Sequence, residues 1–152
     1  MTDGAARGNP GKAGWASVIL LSQNSGGQGR LRELGSHVDH ATNNQMELTA
    51  PIEALKYVKK HKLGTSVEIF SDSKYVILGI TEWIQNWMKN NWRNANKKPV
   101  LNRKLWEELY KLTEKLKIKW VYVEGHNGDK WNERADIIAT NFADDVLVKL
   151  RK

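Results

Sequence analysis

The sequence predicts an α/β fold, a mixed sheet of an antiparallel hairpin plus parallel strands with helices on both faces. Three observations carry that expectation. Trp15 to Leu21 and the weaker run Leu31 to Val38 read as two strands joined by a glycine-rich turn, Gln23 to Gly29. Val67-Glu68-Ile69-Phe70 is a short apolar run that ends at Ser71-Asp72-Ser73 and passes directly into a helical pattern. The remaining apolar residues fall mainly into stripes at helical spacing, separated by one more strand-like run, Ile118 to Glu124.

The 152 residues suffice for one domain with a real core. Residues 1–143 read as that domain and 144–152 as a C-terminal tail. With no cysteine, disulfides and thiolate metal sites are excluded. No apolar run is long enough to span a bilayer and the start does not resemble a signal peptide, so a monomeric, cytoplasmic protein is expected. The formal charge of +7 points to a polyanionic partner.

Taken in order, Asp3 to Gly11 reads as a glycine-punctuated loop, without the helix and Lys-Ser/Thr end of a phosphate cradle. After the hairpin, Thr42 and Gln45 have the spacing of a capping box. The helix they open buries Leu48, Ile52, Leu55 and Val58, and carries Glu47 in its first two turns, where the helix dipole favours a carboxylate. Pro51 predicts a kink beside Glu47. Beyond Asp72, which either caps the next helix or faces the crevice at the strand end, Ser73 caps a helix marked by Val76, Ile80, Trp83, Ile84 and Trp87. That helix leads into a segment in which Trp83, Trp87 and Trp92 alternate with Lys89, Arg93, Lys97 and Lys98, a pattern suited to a nucleic-acid backbone as well as to a structural staple. Asn102 is a candidate N-cap for a helix with Leu105, Trp106, Leu109, Leu112 and Leu116 on one face. The strand Ile118 to Glu124 empties into Gly125-His126-Asn127-Gly128, and a last helix, Trp131 to Ala143, buries Ala135, Ile138, Ala139 and Phe142.

Asp3, Glu47, Asp72 and Asp136 are therefore acids at a loop start, an early helix turn, a strand end and a second early helix turn. Four such anions gather only around cations, since mutual repulsion would otherwise raise their pKa values. Oxygen-only ligands suit two Mg²⁺ ions, or Mn²⁺, and disfavour zinc. A pair of such ions activates water and stabilises a leaving oxygen in phosphodiester cleavage.

Several stretches together resemble the bacterial type 1 ribonucleases H (ribonuclease HI). They are Thr2-Asp3-Gly4 with Gly8-Asn9-Pro10-Gly11, Thr42-Asn43-Asn44 with Met46-Glu47-Leu48, Ser71-Asp72-Ser73, Trp83 to Pro99, Gly125-His126, and Asn132-Glu133-Arg134-Ala135-Asp136. The match is collinear from Thr2 to about Ala143. The resemblance implies a five-stranded mixed sheet in ribonuclease H topology and a two-metal endonuclease that cuts the RNA strand of RNA–DNA hybrids. It implies that Asp3, Glu47, Asp72 and Asp136 hold the metals and that His126 moves a proton or helps product leave. Asn9, Asn43 and Asn44 would line the minor groove, where 2′-hydroxyls mark RNA. Thr42 and Asn102 would hold a DNA-strand phosphate, and Trp83 to Lys98 would grip the DNA strand.

The sequence departs from the family at three places. Lys74 stands where relatives often carry a glutamine that reaches RNA, so a phosphate contact is expected there instead. His40 replaces an arginine used by some relatives at the phosphate pocket. The family's first central strand precedes the position of Thr2, and only Met1 lies there, so that strand is expected to be missing, its slot left open or filled by Val146 to Leu150. Alternatives are a non-catalytic hybrid- or duplex-RNA-binding module, an N-terminally truncated and weakly active form, and a transposase-like nuclease acting on DNA.

Overall fold

The computed structural model describes residues 1–21, 30–125 and 128–152. The expected turn Gln23 to Gly29 lies outside the described residues, as do His126 and Asn127.

Five strands form one sheet in the order β3-β2-β1-β4-β5: β1 (Thr2–Arg7), β2 (Gly11–Leu21), β3 (Arg30–Ala41), β4 (Ser66–Ser71) and β5 (Lys117–Tyr122). β1, β2 and β3 pair antiparallel, while β1 with β4 and β4 with β5 are parallel. The alternation of β2 sorts the layers. Ala13 and Trp15 pack with Met46 and Ala50 of helix α1 (Asn43–Lys60), whereas Ala16 and Val18 pack with Ala135, Ile138 and Ala139 of the last helix (Lys130–Ala143). Helices therefore cover both faces. The main core joins Leu48, Ile52 and Leu55 to Ile69, Val76, Ile80, Ile84, Trp106 and Leu109. No helix among the described residues is long and apolar enough to cross a membrane.

The expected loop at Asp3 to Gly11 is corrected: Thr2 to Arg7 is a strand at the centre of the sheet. Its composition concealed it, because Gly4, Ala5 and Ala6 have little strand propensity. Close packing demands these small residues. A Cβ at Gly4 would lie 2.5 Å from the backbone nitrogen of Glu47. The expectation of a missing first strand is corrected in the same way, although β1 begins only at Thr2. Among the described residues its one pair with β4 is Thr2↔Ser71, against six pairs with β2. A cleft of about 730 Å³, lined by Val18 to Leu21 and Ser66 to Phe70, lies beyond Met1. The tail does not enter it. Val148 and Leu150 pack near Ala135 and Ile138, and Arg151 O accepts from Glu33 N–H on the outer strand β3.

Helix α1 has both halves of the predicted capping box. It runs from Asn43 to Lys60 with Pro51 buried inside it. The helical run after Ser73 divides into α2 (Lys74–Leu78), a π-helical turn (Gly79–Trp83) and α3 (Ile84–Lys89). Gly79 lets that turn approach Trp106, whose ring would lie 2.1 Å from a Cβ there. Helix α4 spans Arg103–Thr113, and Leu116, expected on its stripe, lies beyond its end. Asn102 precedes α4 in a left-handed conformation, φ 60°, and its side chain makes no capping bond. The last helix is α5.

Candidate active site

Asp3 lies on β1, the central strand, and is almost fully buried. Glu47 projects from the second turn of α1, the helix that Gly4 allows against β1. Asp72 follows the end of β4, next to Asp3 through the Thr2↔Ser71 pair. One carboxylate oxygen from each of the three lies within 4.8 Å of the others. Asp136, on α5, is not part of that tight group, but its charge acts on Asp3 and raises its pKa.

The electrostatics of the trio are those of crowded anions. Burial pushes Asp3 up from 3.8 to about 7, with Asp72 and Asp136 adding repulsion, against an opposing hydrogen bond with Glu47. Glu47 is raised well above the ordinary range, first by burial and then by Asp3 and Asp72. One oxygen of Glu47, Oε2, is buried without a hydrogen-bond partner in the protein. An unpartnered buried carboxylate oxygen among two other carboxylates is a donor set that fits a hard divalent cation. Satisfying the helix dipole alone does not account for this inward placement of Glu47.

A Cβ at Gly125 would stand 3.2 Å from Asp72 Oδ2, so the residue just before His126 lies against the acid. Lys74 Nζ sits 5.7 Å from the centre of the Tyr122 ring, on the same strand-end side of the sheet.

The candidate nucleic-acid residues fall into two groups. Asn9, Asn43 and Asn44 are exposed near the start of α1. The Asn43 side-chain oxygen accepts from Ala6 N–H at 2.7 Å, and the Asn9 side-chain oxygen accepts from Asn43 N–H at 3.0 Å. These bonds turn both amide NH₂ groups outward as donors. Thr42 and Asn102 are brought together through Gln45, whose Nε2 donates to Asn102 Oδ1 at 3.4 Å while its Oε1 accepts from Thr42 N–H. Sequence reasoning assigned Gln45 only to the cap and did not single out Tyr75. The Tyr75 hydroxyl accepts from both Asn102 Nδ2 and Trp106 Nε1 at 3.1 Å, a link between residues far apart in the chain that leaves no local signal.

In the basic segment, Lys89, Arg93, Lys97 and Lys98 are exposed. The tryptophans are stapled to the core and to one another. Trp87 has ring centroids at 5.9 Å from Trp83, 6.3 Å from Trp92 and 5.3 Å from buried Trp106. Trp83 retains the largest outward face of the three.

Three comparisons accord with this geometry. The family model described as RNase H matches residues 1–144. The chain is 46% identical over 150 residues to a ribonuclease H of Thermosynechococcus vestitus, covering 99% of this chain and 91% of the relative. Among solved structures, LC9-RNase H1, a type 1 RNase H with the type 2 active-site motif, superimposes with a TM-score of 0.79 at 27% identity, covering 96% of this chain and 71% of that one. LC11-RNase H1, solved in complex with an RNA/DNA hybrid, superimposes with a TM-score of 0.67 at 26% identity, covering 95% and 94%.

Proposed function

The chain belongs to the ribonuclease H family, and from that premise we propose that it is an endonuclease hydrolysing the RNA strand of RNA–DNA hybrids with two divalent metal ions. The observation that carries the reading is the convergence of Asp3, Glu47 and Asp72 around a buried, unpartnered carboxylate oxygen. Asp3, Glu47, Asp72 and Asp136 would hold Mg²⁺ or Mn²⁺. Such ions, when bound, lower the pKa of an attacking water and stabilise the negative charge on the leaving oxygen.

The chain's own residues supply the rest. Burial of Asp3 keeps bulk water from competing for the carboxylates. In the reaction, water oxygen forms a new bond to phosphorus, the bond to the leaving ribose oxygen breaks, and that oxygen gains a proton. His126, which follows Gly125 in the sequence, would carry a proton or assist product exit. The exposed amides of Asn9, Asn43 and Asn44 would donate to ribose 2′-hydroxyls and so select the RNA strand. Thr42 and Asn102 would take one phosphate of the DNA strand. Lys89, Arg93, Lys97 and Lys98, with Trp83, Trp87 and Trp92 stiffening their base, would grip the same strand further along. Lys74 would meet a phosphate beside Asp72. The protein would act as a monomer in the cytoplasm.

A gel assay with labelled RNA–DNA, RNA–RNA and DNA–DNA duplexes, with and without Mg²⁺, tests the proposal. Cleavage confined to RNA within the hybrid and dependent on Mg²⁺ is expected. Metal-independent cleavage, cutting of the DNA duplex, or binding without cleavage would overturn it.

A further inference from the structure

We infer that Tyr75 is a positioning residue for substrate binding: its hydroxyl holds the Asn102 amide, and through Gln45 the Thr42 end of α1, in the arrangement that receives a backbone phosphate. The inference rests on the reading that Thr42 and Asn102 meet a phosphate of the DNA strand.

A phenol oxygen can accept two hydrogen bonds and donate one. Asn102 Nδ2 and Trp106 Nε1 use both acceptor sites at 3.1 Å. The Asn102 oxygen is in turn taken by Gln45 Nε2, and Gln45 Oε1 is taken by Thr42 N–H. Thr42 Oγ1 accepts from Gln45 N–H, so its own proton is not used in that bond. Counted this way, one amide N–H of Asn102, the Thr42 hydroxyl proton and the Tyr75 proton are donors not used within the network. Three neutral donors at the meeting point of three helices suit an oxyanion.

Tyr75 is the element that fixes this set. Asn102 stands in the left-handed region, φ 60° and ψ 30°, which asparagine adopts more readily than other non-glycine residues, so its backbone alone does not fix where the side chain goes. Helix α4 does not use the Asn102 side chain as a cap, so the side chain's hold comes from Tyr75 and Gln45. The Tyr75 ring is itself immobilised, 5.2 Å from Trp106 and 6.2 Å from Trp83. Because Tyr75 lies at the start of α2, only three residues beyond Asp72, the same short segment places both the cleaving end and the phosphate-holding end. Removing the hydroxyl would orphan two donors at once and free the Asn102 amide to rotate.

The test is a double-mutant cycle on Tyr75→Phe and Asn102→Ala, read as hybrid affinity by fluorescence anisotropy without metal, and as kcat and KM with Mg²⁺. Asn102→Ala should weaken binding roughly tenfold, the size of one hydrogen bond to a charged group. Tyr75→Phe should weaken it by nearly as much, and the double variant no further, since both act on one phosphate. Tyr75→Phe should raise KM in proportion to the loss of affinity with kcat unchanged, and its salt slope should stay at the wild-type value because the donors it positions are neutral. A merely structural tyrosine would lower the melting temperature without its affinity loss coupling to that of Asn102→Ala. Should Tyr75→Phe fail to fold, Gln45→Met cuts the network at its other end and takes the same measurements. Additive losses or a silent Asn102→Ala would overturn the inference. Those results are distinct from failure of the functional reading, which appears as wild-type protein that does not cleave the hybrid.

Discussion

The carboxyl groups of Asp3 and Glu47 share a hydrogen bond across the contact between β1 and α1, and both are pushed toward the protonated form. Two acids held this close, with Asp72 beside them, have a repulsion that a proton relieves in part and a bound divalent cation relieves with all three ionised. Replacing Asp72 with Asn should therefore abolish Mg²⁺-dependent cleavage of a hybrid while leaving the metal-free melting temperature equal or higher. The melting-temperature rise on adding Mg²⁺ should shrink in the same variant, as expected when ligand affinity for the native state falls. Wild-type turnover by Asp72→Asn would remove the assignment.

The basic segment gives a kinetic prediction. Neutralising Lys89, Arg93, Lys97 and Lys98 together should raise KM and flatten the salt dependence by roughly 0.7–0.9 of log slope for each phosphate that is no longer neutralised. The turnover number should hardly change, because these exposed side chains lie on the segment that Trp87 staples to Trp106, outside the elements that carry the acids. A collapse of kcat with an unchanged salt slope would make the segment structural.

Glu33 supplies the pH dependence. Its carboxylate side chain, 1% exposed, receives Arg134 Nε at 2.6 Å and Nη2 at 2.9 Å, and also Arg151 N–H at 2.8 Å. The bond from Arg134, with a smaller part from Arg151, holds its pKa below the ordinary 4.5, against the opposing effect of burial. A depressed folded-state pKa means that the unfolded chain binds the proton more readily. The contribution to stability is thus present above about pH 4.5 and is lost as pH falls through the folded value. Glu33→Gln should cost about 2 kcal/mol near pH 7, less than for a fully buried pair because Arg134 is a third exposed. Thermal melts between neutral pH and pH 2.5 should show wild type and variant converging toward acid. A gap that stays constant would show that the ionised pair is not its source.

What was legible in the sequence was local. The capping box at Thr42 and Gln45, the strand ending at Asp72 and the stripe of α5 each depend on residues a few positions apart, and each stands where expected. What was not legible depends on partners far along the chain. Strand β1 looked like a loop because its Gly4 is needed by the approach of α1, which begins 36 residues beyond the end of β1. Asn102 looked like a cap because the residue type and position fit, whereas Tyr75 takes its side chain. The π-helical turn follows from Gly79 meeting Trp106. The four acids were recognisable by their flanks, but that Asp136 stands outside the tight group of three depends on how α5 packs on the sheet.

The cleft beyond Met1 leads to the last prediction. Val18 N–H donates to Met1 O at 2.7 Å and the Met1 ammonium donates to Val18 O at 2.9 Å, so the antiparallel ladder with β2 runs to the first residue. Past it, the edges Val18 to Leu21 and Ser66 to Phe70 flank a space of about 730 Å³ whose walls include Leu55 and Val58 of α1 and Trp131 of α5. Burial of the Met1 ammonium lowers its pKa from 8.0 to about 6, with Asp129 opposing, which marks a charge in an apolar place. Adding about five alternating, β-branched residues before Met1, enough for a strand of ordinary length, would turn that ammonium into a neutral amide. It would also continue the ladder on both sides and send side chains toward α1 and α5 in alternation. Two well-buried aliphatic side chains contribute roughly 3–6 kcal/mol before the entropy of ordering, and each net kcal/mol raises the melting temperature of a domain this size by roughly 2–4 °C. A rise of at least about 5 °C is therefore expected, with higher specific activity because Asp3 is then braced on both sides. A Gly-Ser extension of equal length also removes the charged terminus but offers nothing to bury, so it isolates the packing contribution. Equal melting temperatures for the two extensions would show that the cleft does not accept a strand.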